Sequence, residues 1–321
     1  MSALKSLLTL AFLSFYIVCW GSGGYKIKVK LNDYQQDTLL MGYQLGDKNY
    51  VKDTAVIGKD HMFTFEGKEA LDGGIYLLIF MPDKKFIQFL IGGPEQNFLI
   101  EASVADPFES LQFKGSKENI SFYQYLKFLN GERTKAEALS KERDAAKDSL
   151  RKLAITEKLE QINKDVKTYQ INVIRSNPGT LTASLVKAAM EPEIPAFTGT
   201  DKEIQTKKFV YYRQHYLDNV EVNDERLMRT PVLQEKFDTY LNKLTAQHPD
   251  SISVAIDYLL QKVKGTEETY KYFLITYLNA YANSKFVGMD AVYVHLALNY
   301  YGKGLAPWTD SAQVSKIVEN A

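Results

Sequence analysis

The sequence predicts an α+β protein of two domains: an N-terminal antiparallel β-sandwich or barrel over residues 25–114, then an irregular all-α helical bundle over 116–321. Three observations carry this. Apolar positions recur with period two up to about residue 102 and with period 3.6 from about residue 117 onward. Turn signals punctuate the first part at hairpin spacing. A chain of 321 residues with 45% hydrophobic side chains is long and apolar enough to bury a core in each part.

Charge and cysteine usage narrow the function classes. Thirty-nine Lys+Arg balance 39 Asp+Glu, so there is no overall pull toward phosphate backbones, and no nucleic-acid partner is expected. The single cysteine, Cys19, rules out a disulfide framework, a CxxC redox pair and a Cys-rich zinc site within this chain, each of which needs at least two thiols.

Residues 1–23 read as a signal peptide. Lys5 precedes an apolar run, Leu7 to Val18, of signal-core length and short of the ~20 residues a spanning helix needs. Two maturation routes are open. In one, Cys19 becomes the acylated first residue of a lipoprotein, with Gly21 to Gly24 as tether. In the other, cleavage before Gly24 leaves a mature protein without cysteine. Either route exports the chain to the periplasm or cell envelope.

In the β domain, Tyr25, Ile27, Val29 and Leu31 alternate with lysines, the pattern of a half-buried strand. Further strands are expected at Thr38–Tyr43, Tyr50–Ile57, His61–Phe65, Ile75–Phe80, Phe86–Ile91 and Asn97–Ala102. Gly46-Asp47, Gly58-Lys59-Asp60, Asp72-Gly73-Gly74, Pro82-Asp83 and Gly92-Gly93-Pro94 read as the turns. From Ser116, a candidate cap, Phe122, Tyr125, Leu126 and Leu129 share one helix face. Ile155, Leu159, Ile162, Val166, Tyr169 and Val173 form a heptad stripe that ends near Asn177-Pro178-Gly179. Between them, residues 131–154 carry charges of alternating sign and read as a solvated helix face or arm. Two prolines make Glu191 to Phe197 an extended linker. Helices are then expected through Phe209, Tyr212, Tyr216 and Leu217; from Thr230-Pro231 to Leu244; from a cap at Asp250 or Ser251; from Thr266; from Asp290 to Tyr301; and from Ser311 to the end.

No motif for a metal, phosphate loop or nucleophile elbow is present, so no catalytic, metal or cofactor residues are assigned and no cofactor is expected. Asp290 and His295 are the one acid–histidine pair with catalytic potential, against the plainer reading of His295 as a satisfied core histidine. His61, His215 and His248 read as strand-start, helix-end and turn residues. Glu191 and Glu193 alternate in an extended linker and point apart.

Residues Tyr25-Lys26-Ile27, Asp53-Thr54-Ala55, Gly58, Phe63-x-Phe65-x-Gly67 and Gly74-Ile75-Tyr76 resemble the uncharacterised β domain at the head of exported thioredoxin-like proteins of Gram-negative bacteria. Asp218-Asn219, Arg226-Leu227-x-Arg229-Thr230-Pro231, Pro249-Asp250-Ser251, Gly288 to His295 and Trp308 resemble the helical domain that follows it there. The resemblance implies a redoxin domain in cis, acting as a thiol-disulfide oxidoreductase. Without a second thiol its chemistry transfers to no residue here. The expectation is a non-catalytic head region of a cell-envelope protein, positioning that redoxin domain or docking envelope partners, with membrane attachment through Cys19 in the lipoprotein case. The alternative is a self-standing binding module for a peptide, glycan or other small ligand, which a surface stripe formed by Trp20, Tyr43, Tyr50 and Trp308 supports.

Overall fold

The computed structural model describes residues 23–321; the stretch expected to be a signal peptide, with Cys19 and Trp20, lies up to residue 22 outside the described residues. Two four-stranded sheets are followed by a helical region, so the α+β expectation holds. The strands are β1 (Tyr25–Leu31), β2 (Thr38–Leu45), β3 (Lys48–Val56), β4 (Phe63–Gly67), β5 (Gly74–Phe80), β6 (Lys85–Ile91), β7 (Asn97–Ala102) and, after a one-turn helix α1 (Pro107–Ser110), β8 (Gln112–Lys114).

One sheet runs β4-β1-β7-β8 and the other β3-β2-β5-β6. In the first, Ile27 pairs with Phe65 and Phe98, and Val29 with Phe63 and Ile100. The face that alternation predicts is therefore the buried one. The β1–β7 pair is parallel, where a purely antiparallel sheet was expected. The chain leaves β1 for the other sheet and returns beside it in the same direction, a path that strand periodicity does not encode.

The helices are α2 (Lys117–Ala145), α3 (Ser149–Ser176), α4 (Leu181–Ala188), α5 (Asp201–His215), α6 (Pro231–Asn242), α7 (Pro249–Lys262), α8 (Glu267–Ala282), α9 (Asp290–Leu296) and α10 (Ser311–Glu319). A 3₁₀ turn, Glu225–Arg229, precedes α6, and a π turn, Ala297–Tyr301, extends α9. Ser116 and Thr230 cap α2 and α6 with their side chains, as expected, and Thr180 caps α4 in the same way. Helix α7 begins earlier than expected. His248 is its N-cap and Pro249 its first residue, because at the first helical position the N–H that proline lacks has no partner within the helix and the fixed φ of proline already suits it.

The two regions share one hydrophobic core, which continues from Phe63, Phe65, Phe80 and Phe89 to Phe237 and Phe273. Polar locks reinforce the junction. Asn119 in the first turn of α2 donates its amide to Leu90 O at 2.8 Å and accepts from Leu90 N at 2.7 Å. Its side chain thus stands in for the next strand on the free edge of β6. Arg226 holds both oxygens of Asp224 at 2.8 Å, reaches Gly92 O at 2.8 Å and Gly179 O at 3.2 Å, and so ties the 3₁₀ turn to the end of β6 and to the α3–α4 turn. Burial pushes the Asp224 carboxyl up, but Arg226 outweighs it and holds the group below its usual range. Gly92 belongs here because a Cβ would collide with the Glu118 carboxylate. Gly46 is needed twice over, with φ of 57° and with the Tyr272 hydroxyl where a Cβ would stand.

Beyond its first turns α2 leaves the body. It is 29 residues long, about 43 Å at 1.5 Å per residue, yet its buried residues are Glu118, Asn119, Phe122, Tyr123 and Tyr125. The far half pairs with α3 into an exposed hairpin, the arm that mixed charge predicts.

Candidate functional site

His295 does meet an acid, but not Asp290. Asp290 is exposed at the start of α9, and five helical residues turn it away from His295. The partner is Asp257 of α7, whose Oδ1 lies 2.8 Å from His295 Nε2. Helix α7 presents this carboxylate because its apolar face, Ile252, Ile256, Leu259 and Leu260, is turned into the core and Asp257 falls at its margin.

The π turn completes the cluster. Gly302 N bonds to Ala297 O at 2.8 Å, five residues back. That slower winding keeps Asn299 and Tyr300 close to the face of His295. Tyr300 donates its hydroxyl to Asp257 Oδ1 at 2.6 Å; Asn299 Nδ2 lies 3.2 Å from His295 Nδ1; and Lys303 Nζ donates to Asn299 Oδ1 at 2.8 Å. Burial first, and the bond to Asp257 second, push the Tyr300 phenol far above its ordinary value.

Lys303 donates to Asn299 and Tyr300 donates to Asp257. The tautomer with its proton on Nε2 is the one that lets His295 donate to Asp257 and Asn299 donate to His295. The cluster floors a cavity of about 330 Å³ with Leu260, Gln261, Lys264, Tyr270 and Leu305 on its walls. The His295 side chain is 26% exposed and that of Asp257 42%, so the network opens to solvent rather than lying sealed in the core.

The remaining candidates separate. His215 Nδ1 lies 2.6 Å from Asp218, His248 lies 3.7 Å from Asp250 at the start of α7, and His61 sits in the turn before β4 with φ of 57°. Glu191 accepts from Tyr212 at 2.7 Å while Glu193 pairs with Lys167, so the two acids serve different neighbours. Tyr43 stacks on Tyr50 with centroids 5.5 Å apart, and Tyr50 faces Tyr272 across a cleft of about 430 Å³ between the β2–β3 hairpin and α8. Trp308 packs instead against Tyr270, 5.8 Å away, so the described aromatics do not form one stripe. Among the described residues, no three His, Cys, Asp or Glu side chains gather as a metal site, and no helix is long and apolar enough to cross a membrane.

Sequence reasoning singled out His295 but missed Asp257 and Lys303. The available signal was an acid at the edge of the α7 apolar stripe, which nothing links to a histidine 38 residues away.

Comparison with protein families finds two matches. The domain of unknown function DUF4369 matches residues 25–122, and the domain of unknown function DUF5106 matches residues 148–320. Comparison with curated proteins and with solved structures finds no match.

Proposed function

From the premise that the chain belongs to the DUF5106 family, we propose that it is the non-catalytic head region of an exported cell-envelope protein of thioredoxin-like type, whose work is to position a redoxin domain or dock envelope partners. The observation that carries this is the junction. One core runs through both regions, and Asn119 and Arg226 lock them, as suits a spacer that must hold a fixed geometry.

The test is to read the coding sequence past Ala321. Continuation of the frame into a segment with a CxxC pair is the expected result; a stop codon directly after Ala321 removes the head-region reading. Export and attachment have their own test. Metabolic labelling with palmitate separates the two routes: label in the membrane fraction that Cys19→Ser abolishes marks the lipoprotein route. An unlabelled wild-type protein in the periplasmic fraction favours the soluble route, and a cytoplasmic one ends the export reading.

A second reading, a binding module, is favoured by one observation: the cleft lined by Tyr50, Tyr272, Lys48, Lys271 and Glu268 lies where the two regions meet.

A further inference from the structure

The cavity over the His295 network is lined mainly by polar side chains. At about 330 Å³ it stands at the small end of the range of ligand pockets. Eight of the ten side chains that line it end in a hydrogen-bonding group, and Leu260 and Leu305 are the other two. They come from α7 and the turn after it, from the first turn of α8, and from α9 with its π turn and the residues beyond.

Part of this lining is already fixed. Asp257 Oδ1 accepts from Tyr300 at 2.6 Å and lies 2.8 Å from His295 Nε2, and Lys303 holds Asn299 at 2.8 Å. The Tyr270 ring is braced edge-on by Trp308. Asp257 Oδ2, by contrast, accepts no hydrogen bond among the described residues, although its side chain is 42% exposed. Charge narrows the class of ligand. With the imidazole neutral, the lining carries two ammonium groups, Lys264 and Lys303, against the single carboxylate of Asp257, an excess of one positive charge.

We propose that this cavity binds a small hydroxylated monocarboxylate of the size of one sugar acid. Lys264 and Lys303 meet its carboxylate, Asp257 Oδ2 and Gln261 meet its hydroxyls, and Leu260, Leu305 and the Tyr270 ring meet its carbon skeleton. Ammonium groups hold a carboxylate by charge-assisted hydrogen bonds, and one ligand carboxylate balances the excess charge. An ionised carboxylate oxygen only accepts, so Asp257 selects a ligand that brings hydroxyl donors and repels a second anionic group. Because Asp257 and Asn299 are held before the ligand arrives, less ordering entropy opposes binding. The inference is independent of the head-region reading and sets ligand binding in the helical region rather than in the cleft beside Tyr50.

The test is calorimetric titration of the protein with D-glucuronate, D-galacturonate and D-gluconate, and with D-glucose, hexanoate and inorganic phosphate. At least one of the three sugar acids is expected to bind one to one. Glucose, which lacks the carboxylate, hexanoate, which lacks the hydroxyls, and phosphate are each expected to bind at least about tenfold more weakly. Lys264→Gln combined with Lys303→Gln, both at exposed positions, is expected to weaken the sugar acid by at least about tenfold, and Lys141→Gln on the arm to leave it unchanged. The imidazole NMR signal of His295, identified by its loss in His295→Gln, is expected to move on titration while those of His61, His215 and His248 stay. Four results overturn the proposal: no binding of any of the three sugar acids, binding of glucose, hexanoate or phosphate as tight as the best of them, unchanged binding in the double lysine variant, or an unmoved His295 signal.

Discussion

Helix α2 is two different objects along its length. Its first turns carry Glu118 and Asn119, both buried and both bonded to groups outside the helix, at Thr182 and at Leu90. Its far half carries Arg133–Glu137 and Lys135–Glu132 on its own surface and Arg151–Glu142 across to α3. Between them lies a small second core in which Tyr125 packs with Val173 and Val186, and Phe128 stacks on Tyr169 at 3.9 Å. The comparison teaches that helix propensity and surface pairs sustain the arm, whereas few side chains with unique partners hold the two regions together. Surface pairs contribute about 0.2–1 kcal/mol each, and severed buried pairs cost several times more.

Substitutions sharpen this contrast. Arg226→Ala is expected to have the largest effect, a loss of about 3 kcal/mol in denaturant unfolding, because it strands Asp224 and frees Gly92 O. Next is Asn119→Ala, with a loss of about 1–3 kcal/mol from the unmet Leu90 N–H and C=O on the edge of β6. Arg133→Ala or Arg151→Ala on the arm is expected to cost less than about 0.5 kcal/mol. Arm variants as damaging as Arg226→Ala break the contrast.

Glu118 gives a pH-resolved version. Burial raises its carboxyl above the ordinary value, with the Thr182 N–H acting in the other direction. A group held higher in the folded state favours its protonated form there, so stability falls as pH rises through the window above the usual glutamate value. Glu118→Gln is expected to flatten that part of the stability–pH curve by melting temperature, and an unchanged slope refutes the assignment.

Much of this body is legible in residues. The alternation from Tyr25 to Leu31 names the buried face of β1, and Ser116 and Thr230 announce helices whose caps they are. Gly92 and Gly46 read as turn residues, and only the fold shows that Glu118 and Tyr272 occupy the space of their missing side chains. Strand β8 escapes notice because its three residues, Gln112 to Lys114, show no period, and its pairing with β7 is what defines it. The His295 cluster was half legible. The histidine stands out on an apolar helix, but its partner comes from another helix, and the π turn that aligns Tyr300 has no pattern in the string of side chains. Local chemistry is written locally, while pairing across helices is decided by packing.

The amide of Asn119 also bears on how the chain survives its own synthesis. Until that residue emerges, 29 positions after Leu90, the nascent sandwich carries an open strand to which a second nascent copy could zip. The plug arrives with the first turn of α2 and inside the 25–122 segment that matches DUF4369, so the β unit carries the group that meets Leu90 on the β6 edge before most of the helical region exists.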